Sequence, residues 1–311
     1  MTGFPFFLLA AVGLDLLLGD PPGWPHPVRL IGAALTALES LARPLGPALK
    51  RAFGVAVTLV LPSAGAGTLY LLQRLPVVGW LVALYFAFAG LALGQLLREA
   101  RAVAGLLDAG NTAEARRAVS YLVSRDTTNL DSQAIRRTLA ETVSENFNDA
   151  FVAPLFYLCL GGPALLWFYK IISTMDSMWG YKTERYRALG WAGARADDIL
   201  AWIPARLSAA ALAGAGFCLG LQARAAAANA PADAARMASP NAGWPMAACA
   251  WLLDAPMGGP ASYFGVAVQK PALGPQGGEW TSERIRMLLR LIRIAGISVA
   301  LVFQCVQFGM N

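Results

Sequence analysis

The chain has 311 residues, of which 57% are hydrophobic and only 14% charged, against about 25% charged in a soluble globular chain. That balance excludes an ordinary soluble enzyme and points first to a polytopic membrane protein. The net charge of +6 is modest and scattered, so the basic residues read as markers of cytoplasmic loops and not as a nucleic-acid surface.

The first stretch, "MTGFPFFLLAAVGLDLLLGDPPGWPHP", has no basic n-region and no A-x-A pattern, so it reads as a retained first membrane helix. Asp15 lies inside it; at a helix centre in the bilayer an Asp costs roughly 2.5–3.5 kcal/mol. That places it near a boundary or against a partner in the bundle. His26 is the single histidine, held between two prolines, and His-dependent triads are excluded elsewhere. Ala52–Gln73 and Leu75–Leu97 are uncharged apart from the Arg74 turn that joins them, and each is long enough for ~30 Å of hydrocarbon. Leu207–Ala223 and Ile294–Gly309 are shorter apolar runs. Cys159, Cys218, Cys249 and Cys305 sit apart in apolar surroundings with no CxxC, which argues against zinc or a disulfide framework.

Three polar regions interrupt this pattern: 98–149, 170–206 and 236–270. The first holds seven arginines and eight acidic residues. With residues 20–51 it is expected in the cytoplasm, and the Arg74 turn outside. Residues 150–169 are uncharged but broken by Gly161-Gly162-Pro163, and each half is too short to span alone. Residues 150–172 are therefore predicted to form a re-entrant or broken hairpin. The cassette "TMDSMWGYKTERYRALG" then returns to the cytoplasmic face, because non-helical backbone is tolerated at membrane depth where protein buries it. The whole chain, 1–311, reads as a single all-α, membrane-embedded domain with a helical site on its cytoplasmic face.

The chemistry concentrates in these polar regions. In "SRDTTNLDSQAIRRTLAETVSENFNDAF", Thr127 or Thr128 with Asn129 and Asp131 predicts a helix start. Glu141 and Glu145 fall one turn apart on one face, followed by Asn148 and Asp149. The alternative is a solvated i,i+4 ladder of Arg137 with Glu141. In "ARADDILAWIPARL" and the cassette before it, Asp176, Asp197 and Asp198 are hard oxygen donors suited to magnesium. Nearby arginines suit phosphate. The plain alternative is a charged juxtamembrane loop whose pairs contribute little. Thr281 or Ser282 is expected to cap the last helix. No P-loop, GxGxxG or kinase pattern is present.

Five segments, in order over about residues 14–265, resemble the CobD/CbiB family of cobalamin biosynthesis, the adenosylcobinamide-phosphate synthases. They are "LDLLLGDPPGWPHPVRLIG", "SRDTTNLDSQAIRRTLAETVSENFNDAFVAPLF", "STMDSMWGYKTERYRALGWAGARADDILAWIPARL", "SPNAGWP" and "GGPASYFG". The chain departs from the family pattern at Ser124, Ala150, Ser173 and Met246, the last arguing against a catalytic role there. "SPNAGWP" favours the synthase over a related membrane regulator of the β-lactamase regulon. The resemblance implies a multi-pass enzyme of the cell inner membrane. It would join adenosylcobyric acid to (R)-1-aminopropan-2-ol O-phosphate through an amide bond, using ATP and magnesium. Later membrane enzymes of the pathway are candidate partners, and nucleic acid is not.

Within those segments, residue chemistry assigns Asp176 and Asp198 to magnesium, with Asp197 a second candidate. Arg125, Lys182, Arg195 and Arg206 would neutralise phosphate. Glu145 or Asp149 would serve as base beside Asp176 in the catalytic set, and Asn241 and Trp244 would meet the corrinoid. Asp126, Thr127, Asn146 and Tyr181 complete the substrate-binding expectation. The alternative is a transporter or regulatory membrane protein of the same family without ligase activity.

Overall fold

The computed structural model describes residues 6–21, 23–263 and 265–310. In chain order its helices are α1 (Phe7–Leu18), α2 (Pro27–Ala42), α3 (Pro47–Leu72), α4 (Gly79–Ala89), α5 (Leu93–Asp108), α6 (Thr112–Ser120), α7 (Ser132–Phe147), α8 (Ala153–Trp179), α9 (Trp191–Leu200), α10 (Trp202–Cys218), α11 (Ala223–Ala234) and α12 (Gly243–Leu252). Strands β1 (Met257–Tyr263) and β2 (Val266–Leu273) follow, and then α13 (Ser282–Met310). Four helical runs, Pro47–Leu72, Gly79–Asp108, Ser132–Trp179 and Ser282–Gly309, are long and apolar enough to cross a membrane. The α9–α10 pair adds a fifth if it forms one span. The helical reading holds for the bulk of the chain, and the β1–β2 hairpin is an addition to it. At 12 residues, α1 covers about 18 Å and by itself falls short of the hydrocarbon core.

Where the sequence reads as one embedded domain, the contacts gather into two compact units. The first comprises Met1–Ala92, Ala153–Ala201 and Ala300–Asn311. Its core gathers Leu35 and Ala42 from α2, Val57 from α3, Ile171, Met175 and Trp179 from α8, and Leu189. The α3 helix has 26 residues, about 39 Å, and turns Leu59, Val60 and Leu71 outward, as a lipid-facing surface does. Near its start Arg51 stacks over the Trp191 ring at 4.0 Å, and near its end Arg74 stacks over Tyr70 at 4.1 Å. Arg51 and Tyr70 are about 28 Å apart along the helix, close to the ~30 Å hydrocarbon thickness that basic and aromatic anchors bracket. The polar cassette closes with Leu189, and Trp191 follows it, on the Arg51 end of α3.

α8 is interrupted at Gly161 and Gly162. Gly162 has φ +68°, a left-handed conformation that glycine adopts without steric cost, and Pro163 removes the next donor. On either side of the break, the Tyr157 and Tyr169 rings stack at 5.1 Å. Twelve residues of unbroken helix would separate them by about 18 Å, so the helix is kinked at the break.

The second unit comprises Leu93–Val152 and Trp202–Val299. Ile135, Leu139, Ala140, Val143 and Phe147 of α7 are fully buried in it. The α7 helix starts where Asp131 accepts from the Ala134 amide at 2.7 Å, a side-chain cap. One π-helical turn, Asn148–Val152, follows it, and the Asn148 side-chain Oδ1 accepts from Ser208 Oγ of α10 at 3.0 Å. Thr281 caps α13 by accepting from the Arg284 amide at 3.2 Å. β1 and β2 pair antiparallel, with an irregular register between Gly258 and Pro260. Such a bulge is where a strand tolerates proline.

Candidate functional site

In the first unit the predicted residues gather at the end of α8 and along α9. Asp176 lies one turn before the end of α8, and its carbonyl accepts from the Gly180 amide at 2.7 Å. Gly180 is required there by close approach, since a Cβ at that position would stand 2.2 Å from the Asp176 carboxylate oxygen. Asp176 and Asp198 are near enough to interact electrostatically. Asp198 pairs with Arg195 at 3.4 Å and also feels Lys182. Asp197, by contrast, faces Tyr157, whose hydroxyl donates to the Leu200 carbonyl at 2.9 Å. Among the described residues no group of three or more His, Cys, Asp or Glu is arranged to hold a metal. Asp176 and Asp198 are hard oxygen donors of the kind magnesium takes alongside phosphate and water.

Glu39 is a functional-region residue that sequence reasoning missed. It is buried on α2 yet accepts from Arg185 Nε at 2.6 Å and from the Tyr186 hydroxyl at 3.3 Å. This carboxylate straps the cassette to α2, and Tyr181 packs beside Tyr186 with ring centroids 6.5 Å apart. Burial and the Glu39 charge both push the Tyr186 hydroxyl above its ordinary range. The available signal was position: Leu35, Glu39 and Ala42 share one buried helix face, where an acid needs a partner.

In the second unit Arg125 does not stand as a free phosphate clamp. Its NH2 donates to Glu141 Oε2 at 2.5 Å and its NH1 to Thr138 Oγ1 at 2.8 Å. Burial opposes the Arg125 charge, and Glu141 together with Tyr263 more than offsets it, so its pKa lies above the ordinary value. Glu141 Oε1 also accepts from the Gly258 amide at 2.7 Å. Arg137, the expected ladder partner, lies 4.0 Å from Glu141. Asp126 belongs to the same junction: its carboxylate accepts from Ser262 Oγ at 2.6 Å and the Gly265 amide at 2.9 Å. Arg125, Asp126 and Glu141 thus fasten the β-hairpin to α7. Thr127 is buried, and its carbonyl closes a turn with the Leu130 amide at 3.1 Å.

Asn146 donates to Thr142 at 3.0 Å. Glu145 and Asp149 are half-buried at the end of α7 and in the π-turn, where Asp149 accepts from Asn148 at 2.7 Å. The "SPNAGWP" motif folds as a turn leading into α12, with Ser239 Oγ accepting from the Asn241 and Ala242 amides at 3.2 Å each. It brings Asn241 and Trp244 to Arg206 of α10: NH1 lies 3.4 Å from Asn241 Oδ1, and the guanidinium 4.6 Å over the Trp244 ring. Met246 is buried in α12.

Asp233 is a second residue that the sequence did not single out. Its carboxylate accepts from Trp251 Nε1 at 2.8 Å and the Gly274 amide at 2.7 Å, and it pairs with Arg236. It ties α11 to α12 and β2. An acid in the alanine-rich run "APADAA" was the only hint.

The family model described as CobD/CbiB protein matches residues 8–292. The chain is 40% identical over 303 residues to the cobalamin biosynthesis protein CobD of Pelobacter propionicus, covering 96% of this chain and 94% of that protein. It is 38% identical over 304 residues to CobD of Klebsiella pneumoniae, covering 96% and 95%. It is also 39% identical over 306 residues to the cobalamin biosynthesis protein CbiB of Salmonella typhimurium, covering 96% of each. No solved structure matches. These matches extend over nearly the whole chain, well beyond the quoted motifs, and the chain belongs to the CobD/CbiB family of cobalamin biosynthesis proteins.

Proposed function

We propose that this protein is an ATP-dependent amide ligase of cobalamin biosynthesis. It joins the free carboxylate of adenosylcobyric acid to the amine of (R)-1-aminopropan-2-ol O-phosphate, giving adenosylcobinamide phosphate. The observation that carries the reading is the Asp176–Asp198 pair, with Arg195 and Lys182 around it, at the end of α8. This is a donor set for magnesium and phosphate in a chain of the cobalamin family.

A carboxylate is a poor acyl donor. The γ-phosphoryl group of ATP passes to the corrinoid carboxylate oxygen, giving an acyl phosphate and ADP. The amine then attacks the acyl carbon, inorganic phosphate leaves, and a base takes the ammonium proton. Asp176 and Asp198 would hold the magnesium ion; bound there, it supplies charge neutralisation on the phosphates. Arg195 and Lys182 neutralise phosphate oxygens, and Tyr181 orients the same loop. Glu145 or Asp149 takes the proton, with Asn146 positioned one helical residue away. Asn241 and Trp244 meet the corrinoid, the indole offering a flat apolar face.

The cassette is proposed to face the cytoplasm of a multi-pass inner-membrane protein. Two features support this: it lies at the end of α3 marked by Lys50 and Arg51, and basic residues favour the inside. The uncharged arm between Asp149 and the Gly161 break, residues 150–160, covers about 16 Å, which supports a re-entrant segment over a full crossing. The test is to incubate detergent-solubilised protein with adenosylcobyric acid, the phosphorylated amine, Mg²⁺ and ATP. An amide product with one ADP per bond formed supports the ligase. Corrinoid flux across liposomes with no amide formed would establish the transporter instead.

A further inference from the structure

Arg206 has an unusual setting for a guanidinium. Its Cζ lies 4.0 Å over the Trp202 ring and 4.6 Å over the Trp244 ring. Trp202 and Arg206 are i,i+4 neighbours on one face of α10, and NH1 donates to the Trp202 carbonyl at 2.8 Å. Trp244 and Asn241 arrive from the separate turn ahead of α12. Arg125, Arg185 and Arg236 each have a carboxylate partner. Arg206 forms no salt bridge among the described residues, and the hydrogen bonds it makes there use NH1 alone.

Indole faces lower the cost of desolvating a cation without neutralising it. They cover guanidinium faces and leave the in-plane N–H fork, which matches two oxygens of one oxoanion. A cation fixed by two rings and a carbonyl, with no acid beside it, is preorganised for a ligand that brings its own negative charge. We propose that the Trp202–Arg206–Trp244 cluster is a receptor for a phosphate monoester, with Arg206 binding its oxygens and Trp202 acting as a positioning residue. This rests on the ligase reading, in which the amine donor carries such a group; an anionic lipid headgroup is the other source of the same chemistry. The cluster then distinguishes the phosphorylated amine from free aminopropanol.

The experiment uses the full-length protein in detergent and in nanodiscs. Tryptophan emission is titrated with aminopropanol phosphate and, separately, with nanodiscs containing phosphatidic acid. A saturable change that weakens about 10- to 100-fold in Arg206→Gln, and less in Arg206→Lys, is the expected result. Arg206→Lys keeps the charge and guards against loss of folding. Turnover measurements should show the KM for the phosphorylated amine rising by the same factor while the KM for ATP stays unchanged. Trp202→Ala should raise that KM with kcat kept, and Trp202→Phe should restore it. Weakened binding only in phosphatidic acid nanodiscs supports the receptor with lipid as its source. Unchanged binding of both probes in Arg206→Gln, or a rise confined to the KM for ATP, overturns the proposal. Wild-type protein that binds the ester through Arg206 but forms no amide refutes the ligase reading and leaves the receptor standing.

Discussion

Replacing Arg125 with Gln removes one half of an ion pair whose side chains are only 7% and 6% exposed. Glu141 then keeps a buried charge supported by the Gly258 amide and the more distant Arg137, and Thr138 loses its donor. Breaking a buried pair from one side costs about 3–5 kcal/mol. At about 2–4 °C per kcal/mol for a unit of this size, the expected fall in Tm is roughly 6–20 °C. Arg125→Met combined with Glu141→Leu removes both charges and should recover part of that loss, with the Gly258 amide left unsatisfied. The assay is thermal unfolding of the detergent-solubilised protein, followed by ligase kinetics below the transition. The reasoning fails if Arg125→Gln unfolds at the wild-type temperature while its KM for ATP rises tenfold. That outcome would make Arg125 a nucleotide clamp and its pairing with Glu141 incidental.

Asp176→Asn should raise the Mg²⁺ concentration needed for half-maximal ligation by at least about tenfold, and unchanged turnover at low Mg²⁺ would remove its assigned role. Gly180→Ala places a methyl group against the Asp176 carboxylate; a displacement near 1 Å costs about 100-fold in rate, so a variant with wild-type turnover would show that the carboxylate is not poised there. A cysteine introduced at Thr183 should react with an impermeant maleimide only from the cytoplasmic side, and one at Val77, beyond the other end of α3, only from outside; labelling of Thr183→Cys from the periplasm alone sinks the re-entrant reading. His26 caps α2 by accepting from the Val28 amide at 3.2 Å. Burial lowers its pKa, with Asp20 opposing in part. The folded state therefore favours the neutral ring: its contribution is present above the unfolded value of about 6.5 and is lost as pH falls through the lower folded value. The expected loss is about 0.5–2 kcal/mol, read as a falling Tm in acid that His26→Asn abolishes.

Much of the helical scaffold was legible because it is local chemistry. Apolar runs of membrane length, the Thr281 cap and the Gly161-Gly162-Pro163 break each depend on residues within a few positions of one another, whereas α7 starts at the Asp131 cap and not at Thr127 or Thr128. The β1–β2 hairpin was not legible. "GGPASYFG" has neither strict alternation nor a recognisable two-residue turn, and its place is set by Glu141 and Asp126 accepting its amides. The candidate site divides in the same way. Residue type alone marked Asp176, Asp198, Arg195 and Arg206 as chemistry-bearing, since carboxylates and guanidinia in so apolar a chain need a reason.

Their partners were a matter for tertiary structure alone. Glu39 and Arg185 stand 146 positions apart in the chain, and Glu141 and Gly258 stand 117 apart. No periodicity relates residues at such separations; burial does, because a charge withdrawn from water must find whichever partner the fold brings to it. Burial also separated two arginines that look alike in the sequence. Arg125 closed on a carboxylate, and Arg206 was set against two indole faces with none.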